Sequence, residues 1–335
     1  MNKRILYIGN NLKKSTKYPT TLETLSDNLT KEQFQVKVSS SKRNMLLRQL
    51  DMLFAILKYR TSDYLLVDTY STTNFYYVFF CSQLARIVNL KYIPILHGGN
   101  LPYRLKKSPS LSNLIFKNAY KIVAPSNYLK SVFDVASYPT HYIPNTIEIA
   151  DYPFLKRTEK RPKLLWVRSL KELYNPEMAI EVLKILKRKY NQATLCMVGP
   201  FHNKTHENCK RLVEEYKLTD SVKFTNILSK EQWHKKSELF DIFINTTNFD
   251  NTPISVIEAM ALGLPVVSTN VGGLSFLIKD KQDGLLVDRN SSRQMVNSII
   301  AILENKHPDL EKNARKKVEK FDWKFARTEW LNILT

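Results

Sequence analysis

Two acidic residues, Asp250 and Glu258, stand eight positions apart in the stretch FDNTPISVIEAMALGLPVVSTNVGG. A carboxylate within the apolar run ISVIEAMAL is costly to bury unless it accepts hydrogen bonds. The hydroxyls of a ribose could donate such bonds to Glu258, and Asp250, just ahead of the run, could bind the hydroxyls of another sugar. A simpler alternative is that Asp250 only precedes a helix while Glu258 pairs with a core lysine or arginine.

The residues between the two acids predict the start of a buried helix. Thr252 is expected as the N-cap, with Pro253 at the first helical position, where its missing N–H costs nothing. Gly263 is expected to end the helix. The free N–H groups at such a start, together with the helix dipole, form an anion site that suits a diphosphate.

Short strand-like runs alternate with helical segments along the whole chain, which predicts open, mostly parallel sheets with helices on both faces. Strands are expected at 4–8, 63–68, 91–96, 120–126, 140–145, 163–167, 193–199, 221–225, 240–244, 264–268 and 284–288. Ligands of such sheets bind outside the carboxyl ends of the strands. Asp250 belongs to a loop of this kind.

A polar, proline-bearing stretch at 148–162 separates two blocks of alternating strands and helices. The sequence therefore predicts two doubly wound α/β domains, residues 1–155 and 156–320. A final amphipathic segment at about 321–335 lacks a strand of its own and is expected to pack back on the first domain. Two domains of this class place ligands in the cleft between them.

Several blocks, in order, resemble family 4 retaining glycosyltransferases. The D-x7-E pair followed by AMALGLPVVSTNVGG is similar to the family's E-x7-E block, and further matches are LHGGNLP at 96–102, VAPSNYLKSVF at 123–133 and IPNTIE at 143–148. The resemblance covers nearly the whole chain. It implies the GT-B fold, two Rossmann-like domains facing across a cleft, and retaining transfer of a sugar from a nucleoside diphosphate sugar to a hydroxyl acceptor, as in bacterial polysaccharide or glycan assembly.

The resemblance assigns a donor-binding role to each matching residue of the opening block. Glu258 takes the position that binds the nucleotide ribose. Asp250 takes the position of a glutamate that contacts the donor sugar, and its side chain is shorter by one methylene. The main-chain N–H groups that bind donor phosphate and sugar belong to Asn251, Thr252, Ile254 and Ser255.

The resemblance also implies an arginine and a lysine that hold the diphosphate. Arg168, in WVRSLKELYNP, matches the arginine that follows the first strand of the second domain. The lysine is expected six residues later, where Tyr174 and Asn175 stand instead, so Lys171 is the nearest substitute. Taken alone, Arg168 also fits a surface residue at a strand end.

His97 follows the strand at 91–96 and is followed by two glycines, which let backbone approach a ligand closely. The resemblance puts this histidine near the donor sugar, and implies that His97, Arg168 and Asp250 orient the sugar and stabilise the departing diphosphate. The loop at 9–25 lacks the family's Gly-Gly pair. It is expected either to contact the acceptor or to be a solvated basic loop.

Signals for metals and cofactors are weak. His202, His206 and Cys209 have a metal-like spacing, but no fourth ligand is evident, and a surface helix explains the segment as well. The sequence has no Asp-x-Asp pair for a divalent ion and no G-x-G-x-x-G dinucleotide signature. We therefore expect no metal and no cofactor besides the donor substrate.

The net charge of +20 is spread over both halves and does not form a tail. Residues 1–155 carry +11, from 20 basic and 9 acidic residues. This excess predicts weak binding to an anionic membrane surface, while the lack of zinc-finger or RNA-binding signatures disfavours nucleic acid. The apolar spacing at 41–60 fits either a membrane-surface helix or a core helix with solvated ends.

Sequence features bearing on location favour the cytoplasm, with peripheral attachment at the inner face of the membrane. We find no secretory signal and no apolar run of about 18 residues. The three cysteines form no C-x-x-C pair. The expected partners are a nucleotide-sugar donor and a glycan or lipid-linked acceptor.

Two other classes of function fit parts of the sequence. A nucleotide-sugar epimerase of the same fold would bind the same donor and release free epimerised sugar without an acceptor. A non-catalytic protein that binds anionic polymers would use the basic surface and would not bind nucleotide sugars.

Overall fold

The computed structural model describes residues 3–9, 20–42 and 44–335, apart from the side chain of Asn203. The chain forms two compact units, one of Met1–Thr146 with Trp323–Thr335 and the other of Ile147–Asp322. We call them the N-terminal and the C-terminal unit. Most of the predicted loop at 9–25 lies outside the described residues.

The described part of the N-terminal unit contains a six-stranded parallel sheet of order β2-β1-β3-β4-β5-β6. Its strands are β1 Arg4–Ile8, β2 Gln35–Ser39, β3 Tyr64–Thr69, β4 Lys91–Leu96, β5 Val123–Ala124 and β6 His141–Tyr142. Its helices are α1 Thr21–Lys31, α2 Met45–Lys58, α3 Asn74–Ile87, α4 Leu101–Lys107, α5 Pro109–Phe116, α6 Asn127–Val135 and α14 Trp323–Leu334.

Alternate residues of the central strands point to the two faces of this sheet. In β1, Ile5 and Tyr7 join a buried cluster with α1 and α14, whereas Leu6 and Ile8 join a cluster with α2, α3, α5 and α6. A parallel sheet covered on both faces selects continuous apolar runs. Such runs are why most of its strands could be read from the sequence.

Strand β2 was missed by the sequence analysis. It lies at the edge of the sheet, beside β1, in parallel register with Arg4 opposite Gln35. Its five residues are exposed or half-buried. An edge strand of this kind lacks the apolar run that marked its neighbours.

The C-terminal unit, described throughout its backbone, has a second six-stranded parallel sheet, of order β12-β11-β10-β7-β8-β9. Its strands are β7 Lys163–Val167, β8 Thr194–Val198, β9 Val222–Phe224, β10 Ile242–Asn245, β11 Val266–Thr269 and β12 Leu285–Val287. Its helices are α7 Pro176–Leu186, α8 Asn203–Glu215, α9 Lys230–Ser237, α10 Ile254–Ala261, α11 Leu274–Leu277, α12 Ser292–Leu303 and α13 Leu310–Val318. The predicted α/β class with two parallel sheets is confirmed.

The C-terminal unit begins at Ile147, earlier than the expected boundary at residue 155. The reason is that the stretch expected to be a linker is packed into this unit. Tyr152 is buried. Arg157 is also buried, and its guanidinium donates to the carbonyl oxygens of Phe240 at 2.8 Å and Gly263 at 2.8 Å.

The C-terminal helix α14 is anchored on the N-terminal unit by Glu32. Trp323 Nε1 donates to Glu32 Oε1 at 3.2 Å, and Arg327 Nε lies 2.7 Å from Glu32 Oε2. Of the helices in the described residues, none is both long enough and apolar enough to cross a membrane.

Candidate functional site

Arg168 lies directly after β7, at the carboxyl edge of the C-terminal sheet, and forms an ion pair with Asp250. The two side chains are 18% and 16% exposed, so the pair is largely shielded from water. Burial lowers the pKa of Arg168 from its usual value. Its Nε atom is buried and makes no hydrogen bond to any described residue.

The face of Tyr174 covers the Arg168 guanidinium, with 4.5 Å between the guanidinium carbon and the ring centroid. The loop that carries Tyr174 is held by a hydrogen bond from the end of β10, the strand next to β7. Thr246, after β10, donates to the carbonyl oxygen of Tyr174 at 2.9 Å and accepts from Trp166 Nε1 at 2.9 Å. Tyr174 therefore restrains Arg168 through the face of its ring.

Lys171 shares a loop with Arg168, but its side chain is exposed. The pKa of His202 is lowered mainly by burial and, to a lesser extent, by the positive charge of Lys171. Among the described residues, no ion pair links Lys171 to an acidic group. The structure thus brings Arg168 and Asp250 together and leaves Lys171 outside that pair.

The loop that carries Asp250 is held by the glycines that end the block FDNTPISVIEAMALGLPVVSTNVGG. Gly273 N donates to the Asp250 carbonyl oxygen at 3.0 Å, and Asn251 N donates to Asp250 Oδ1 at 2.9 Å. Gly272 has φ +55°, and a Cβ at either glycine would overlap the main chain of 250–251. Only glycine permits this close approach of two backbones.

Helix α10 begins one residue later than expected. Pro253 is the N-cap, in an extended conformation with φ −70° and ψ 116°, so it is not the first helical residue and Thr252 is not the N-cap. The helix N-terminus then presents the N–H groups of Ile254 and Ser255. Ser255 Oγ is buried without a hydrogen-bond partner among the described residues. These groups are available to an anion.

Glu258 lies inside α10 and accepts a hydrogen bond from the hydroxyl of Tyr152, at 2.7 Å from Oε1. Burial raises the pKa of Glu258 from 4.5 to about 7, although the Tyr152 hydrogen bond and the charge of Lys230 oppose that shift. Lys230 lies over the Tyr152 ring at 4.5 Å. The partner of Glu258 is thus a tyrosine, and no lysine or arginine among the described residues forms an ion pair with it.

Tyr152 was not identified from the sequence. It lies in the polar stretch at 148–162 that was expected to separate the two domains, and nothing in its local spacing relates it to Glu258, 106 residues later. Its proximity to α10 is a product of the tertiary fold.

His97 follows β4 in the N-terminal unit, and its imidazole is held by Asp68. His97 Nε2 lies 2.9 Å from Asp68 Oδ1, which also accepts from the Tyr7 hydroxyl at 2.8 Å. Tyr70 stacks on the imidazole with 5.6 Å between ring centroids. Burial, and then the Asp68 carboxylate, raise the pKa of both tyrosines, so both remain neutral donors.

Asp68 and Tyr7 were also missed by the sequence analysis. Asp68 was counted as the last residue of a predicted strand, although an acid at the carboxyl end of a buried strand was a usable signal. The glycine after His97 has a different role from the one expected. A Cβ on Gly98 would lie 2.6 Å from Ser71 N, so protein backbone fills the space that was reserved for a ligand.

The metal-like spacing after residue 200 has a packing explanation. The His206 ring stacks on Phe201 with centroids 3.8 Å apart, and Cys209 is buried in the core. The described residues contain no cluster of three or more histidine, cysteine, aspartate or glutamate side chains arranged to hold a metal ion.

Solved structures with the same fold include HepE of Anabaena in complex with UDP and glucose, with 17% identity and a TM-score of 0.77. The alignment with HepE covers 99% of both chains. A sucrose-phosphate synthase of Thermosynechococcus elongatus gives 15% identity and a TM-score of 0.80, over 99% of this chain and 98% of that one. These similarities show the two-domain GT-B fold.

Curated relatives include an uncharacterized glycosyltransferase of Haemophilus influenzae, 28% identical over 46% of this chain and 44% of that protein. The putative colanic acid biosynthesis glycosyltransferase WcaL of Escherichia coli is 26% identical over 50% of this chain and 44% of that protein. The chain spans less than half the length of these relatives. The family model described as "Glycosyl transferases group 1" matches residues 150–321, more than half of the chain. The protein therefore belongs to the glycosyl transferases group 1 family.

Proposed function

We propose that the protein is a retaining, metal-independent glycosyltransferase of family 4 type. It would move a hexose-type sugar from a nucleoside diphosphate sugar to a hydroxyl of a glycan or lipid-linked acceptor during bacterial glycan assembly. The observation that carries this proposal is the shielded Arg168–Asp250 pair. The same unit contains the α10 N-terminus and the Ser255 hydroxyl, which has no hydrogen-bond partner among the described residues. We place the reaction in the cytoplasm, peripherally at the inner face of the membrane.

The diphosphate would bind by replacing Asp250 as the partner of Arg168. A guanidinium can donate two parallel hydrogen bonds to phosphate oxygens, and the Nε atom of Arg168 is one such donor. The N–H groups of Ile254 and Ser255 would bind the remaining oxygens. These donors would stabilise the negative charge that grows on the departing diphosphate, while Asp250 would become available to accept hydrogen bonds from the sugar hydroxyls.

The nucleotide ribose would bind to Glu258. Tyr152 donates to Oε1, which leaves Oε2 to accept from ribose hydroxyls. Hydrogen bonds to the ionised form favour that form, so ribose binding would oppose the protonation of Glu258 that burial promotes. Tyr152 would fix the orientation of the carboxylate in this arrangement.

His97 would orient the donor sugar, as the resemblance implies. Its own contacts support a fixed imidazole, because Asp68 binds Nε2 and Tyr70 stacks on the ring. With Nε2 engaged, Nδ1 is the ring atom left for a sugar hydroxyl. Proton transfer from the acceptor to the leaving phosphate is the expected route for retention.

The sharpest test is nucleotide binding by calorimetry. UDP is the first probe, since HepE was solved with UDP and glucose, and GDP and ADP complete the set. Glu258→Gln keeps the shape but removes the charged acceptor, which is worth about 1.5–3 kcal/mol, so affinity should fall by about 10-fold or more. The matched control is Glu214→Gln, at an exposed position of α8.

Unchanged affinity in a folded Glu258→Gln variant would refute the ribose assignment. Release of free epimerised sugar without an acceptor would instead identify an epimerase. Failure of every nucleotide and nucleotide sugar to bind, with tight binding of an anionic polymer, would refute the transferase proposal altogether.

A further inference from the structure

The outer face of α2 exposes large apolar side chains in a stripe along the whole helix. These side chains are between 50% and 78% exposed, and they are Leu46, Leu47, Leu50, Phe54 and Leu57. The opposite face supplies the core contacts of α2 through Met52, Ala55 and Ile56. Since that face already makes the core contacts of α2, the stripe is a second apolar surface on the same helix. Monomeric proteins rarely expose an apolar surface of this kind.

No acidic side chain of α2 lies on its exposed apolar stripe. The acid of this helix, Asp51, accepts a hydrogen bond from Ser39 Oγ at 3.2 Å on the edge strand, so the exposed stripe within Met45–Lys58 carries no acid. Exposed basic residues flank the stripe, with Lys42 before the helix and Lys58 and Arg60 at its end. The surface is therefore apolar along its length and cationic at both ends.

We propose that α2 docks flat on an anionic bilayer, with its apolar stripe inserted among the lipids and its flanking cations at the headgroups. A helix of 14 residues is about 21 Å long, too short to cross a hydrocarbon core of about 30 Å. A basic helix with one apolar face is instead typical of interfacial binding. This inference adds a membrane-binding surface, and it does not depend on glycosyl transfer.

The charge distribution favours a bilayer over a second copy of the chain as the occupant. Each chain carries +20, and a symmetric contact through α2 would bring like-charged ends of two helices together. An anionic leaflet attracts the same Lys and Arg residues, by about 1 kcal/mol for each one near the surface. That figure corresponds to about fivefold in affinity per residue.

Vesicle flotation with the full chain tests the proposal. The vesicles are phosphatidylcholine alone or an equimolar mixture with phosphatidylglycerol. We expect binding to the anionic vesicles, release by salt, and at least a tenfold loss of affinity for Leu50→Ser/Phe54→Ser. The matched control is Val135→Ser/Leu239→Ser, which changes exposed apolar residues away from α2 and should bind as the wild type does.

A second variant tests the electrostatic part. Lys58→Gln/Arg60→Gln should weaken binding to anionic vesicles about fivefold for each charge removed at low salt, with circular dichroism confirming that all variants fold. Wild-type binding by Leu50→Ser/Phe54→Ser, or equal binding to neutral and anionic vesicles, would overturn the proposal. The proposal would also be overturned if the wild type were a dimer that Leu50→Ser/Phe54→Ser converts to a monomer, because α2 would then be a self-association surface.

Discussion

Replacing Arg168 by alanine should reduce turnover more than any other single change in the loop that we propose to bind phosphate. The guanidinium is paired with Asp250, and both side chains are less than a fifth exposed. Each charge-assisted hydrogen bond is worth about 1.5–3 kcal/mol, and Arg168 can offer two to a phosphate. In the proposed function Arg168 would give up Asp250 to bind the donor, so the net loss should be about 2–3 kcal/mol, or roughly 30- to 150-fold in turnover.

The loss should fall mainly on kcat and less on donor affinity, because the diphosphate gains charge in the transition state. Initial-rate kinetics and calorimetry with the same donor separate the two effects. Lys171→Ala should cost less than Arg168→Ala, since Lys171 is exposed and outside the ion pair. Arg211→Ala is the matched control, because Arg211 is 68% exposed on α8.

Two results would refute this reasoning. Unchanged turnover in a folded Arg168→Ala variant would mean that the diphosphate does not bind at Arg168. An equal loss in donor affinity and in turnover would mean that Arg168 acts as a ground-state contact. A silent Lys171→Ala would leave the remaining charge to the α10 N-terminus and Ser255.

The change Glu258→Gln should flatten the pH dependence of stability. The pKa of Glu258 in the folded protein is about 7 against an ordinary 4.5, so the folded state binds more protons than the unfolded state between these two values. The wild type therefore loses stability as the pH rises through that window. Melting temperatures of the wild type and the variant at about pH 5 and about pH 8 test this. An equal change in melting temperature between the two pH values for both proteins would contradict it. Asp68→Asn should lower turnover about tenfold through the loss of one charged hydrogen bond to His97, and it should leave UDP affinity unchanged. Equal losses in turnover and in UDP affinity would show that Asp68 has only a structural role. Activity should survive a chelator, and loss that Mn²⁺ or Mg²⁺ restores would disprove the metal-free mechanism.

Local sequence patterns predicted much of the fold. Continuous apolar runs such as KLLWV and KYIPIL are what a parallel sheet buried on both faces selects. The start of α10 was placed one residue too early, because Pro253 can occupy either the N-cap or the first helical position and only its backbone angles decide. Strand β2 was missed because an edge strand needs no apolar run.

The candidate site was less predictable, because its pairs join residues distant in sequence. Asp68 holds His97 from the adjacent strand, and Tyr152 reaches Glu258 from a segment that reads as a linker. Neither contact leaves a local pattern of spacing. The D-x7-E block marked the acids themselves, but the groups that orient them follow from the tertiary fold.

The backbone contact between residues 250–251 and the glycine pair has a consequence for how substrate preference can change. A side chain at 272 or 273 would displace the main chain of Asp250 and Asn251, so the path of this loop resists both natural drift and engineering. If Asp250 contacts the donor sugar as proposed, adaptation to a different sugar would be confined to the side chain at position 250 and to the residues it meets. The aspartate, one methylene shorter than the glutamate that the resemblance leads one to expect, is a change of that kind: it alters reach while leaving the backbone where it was.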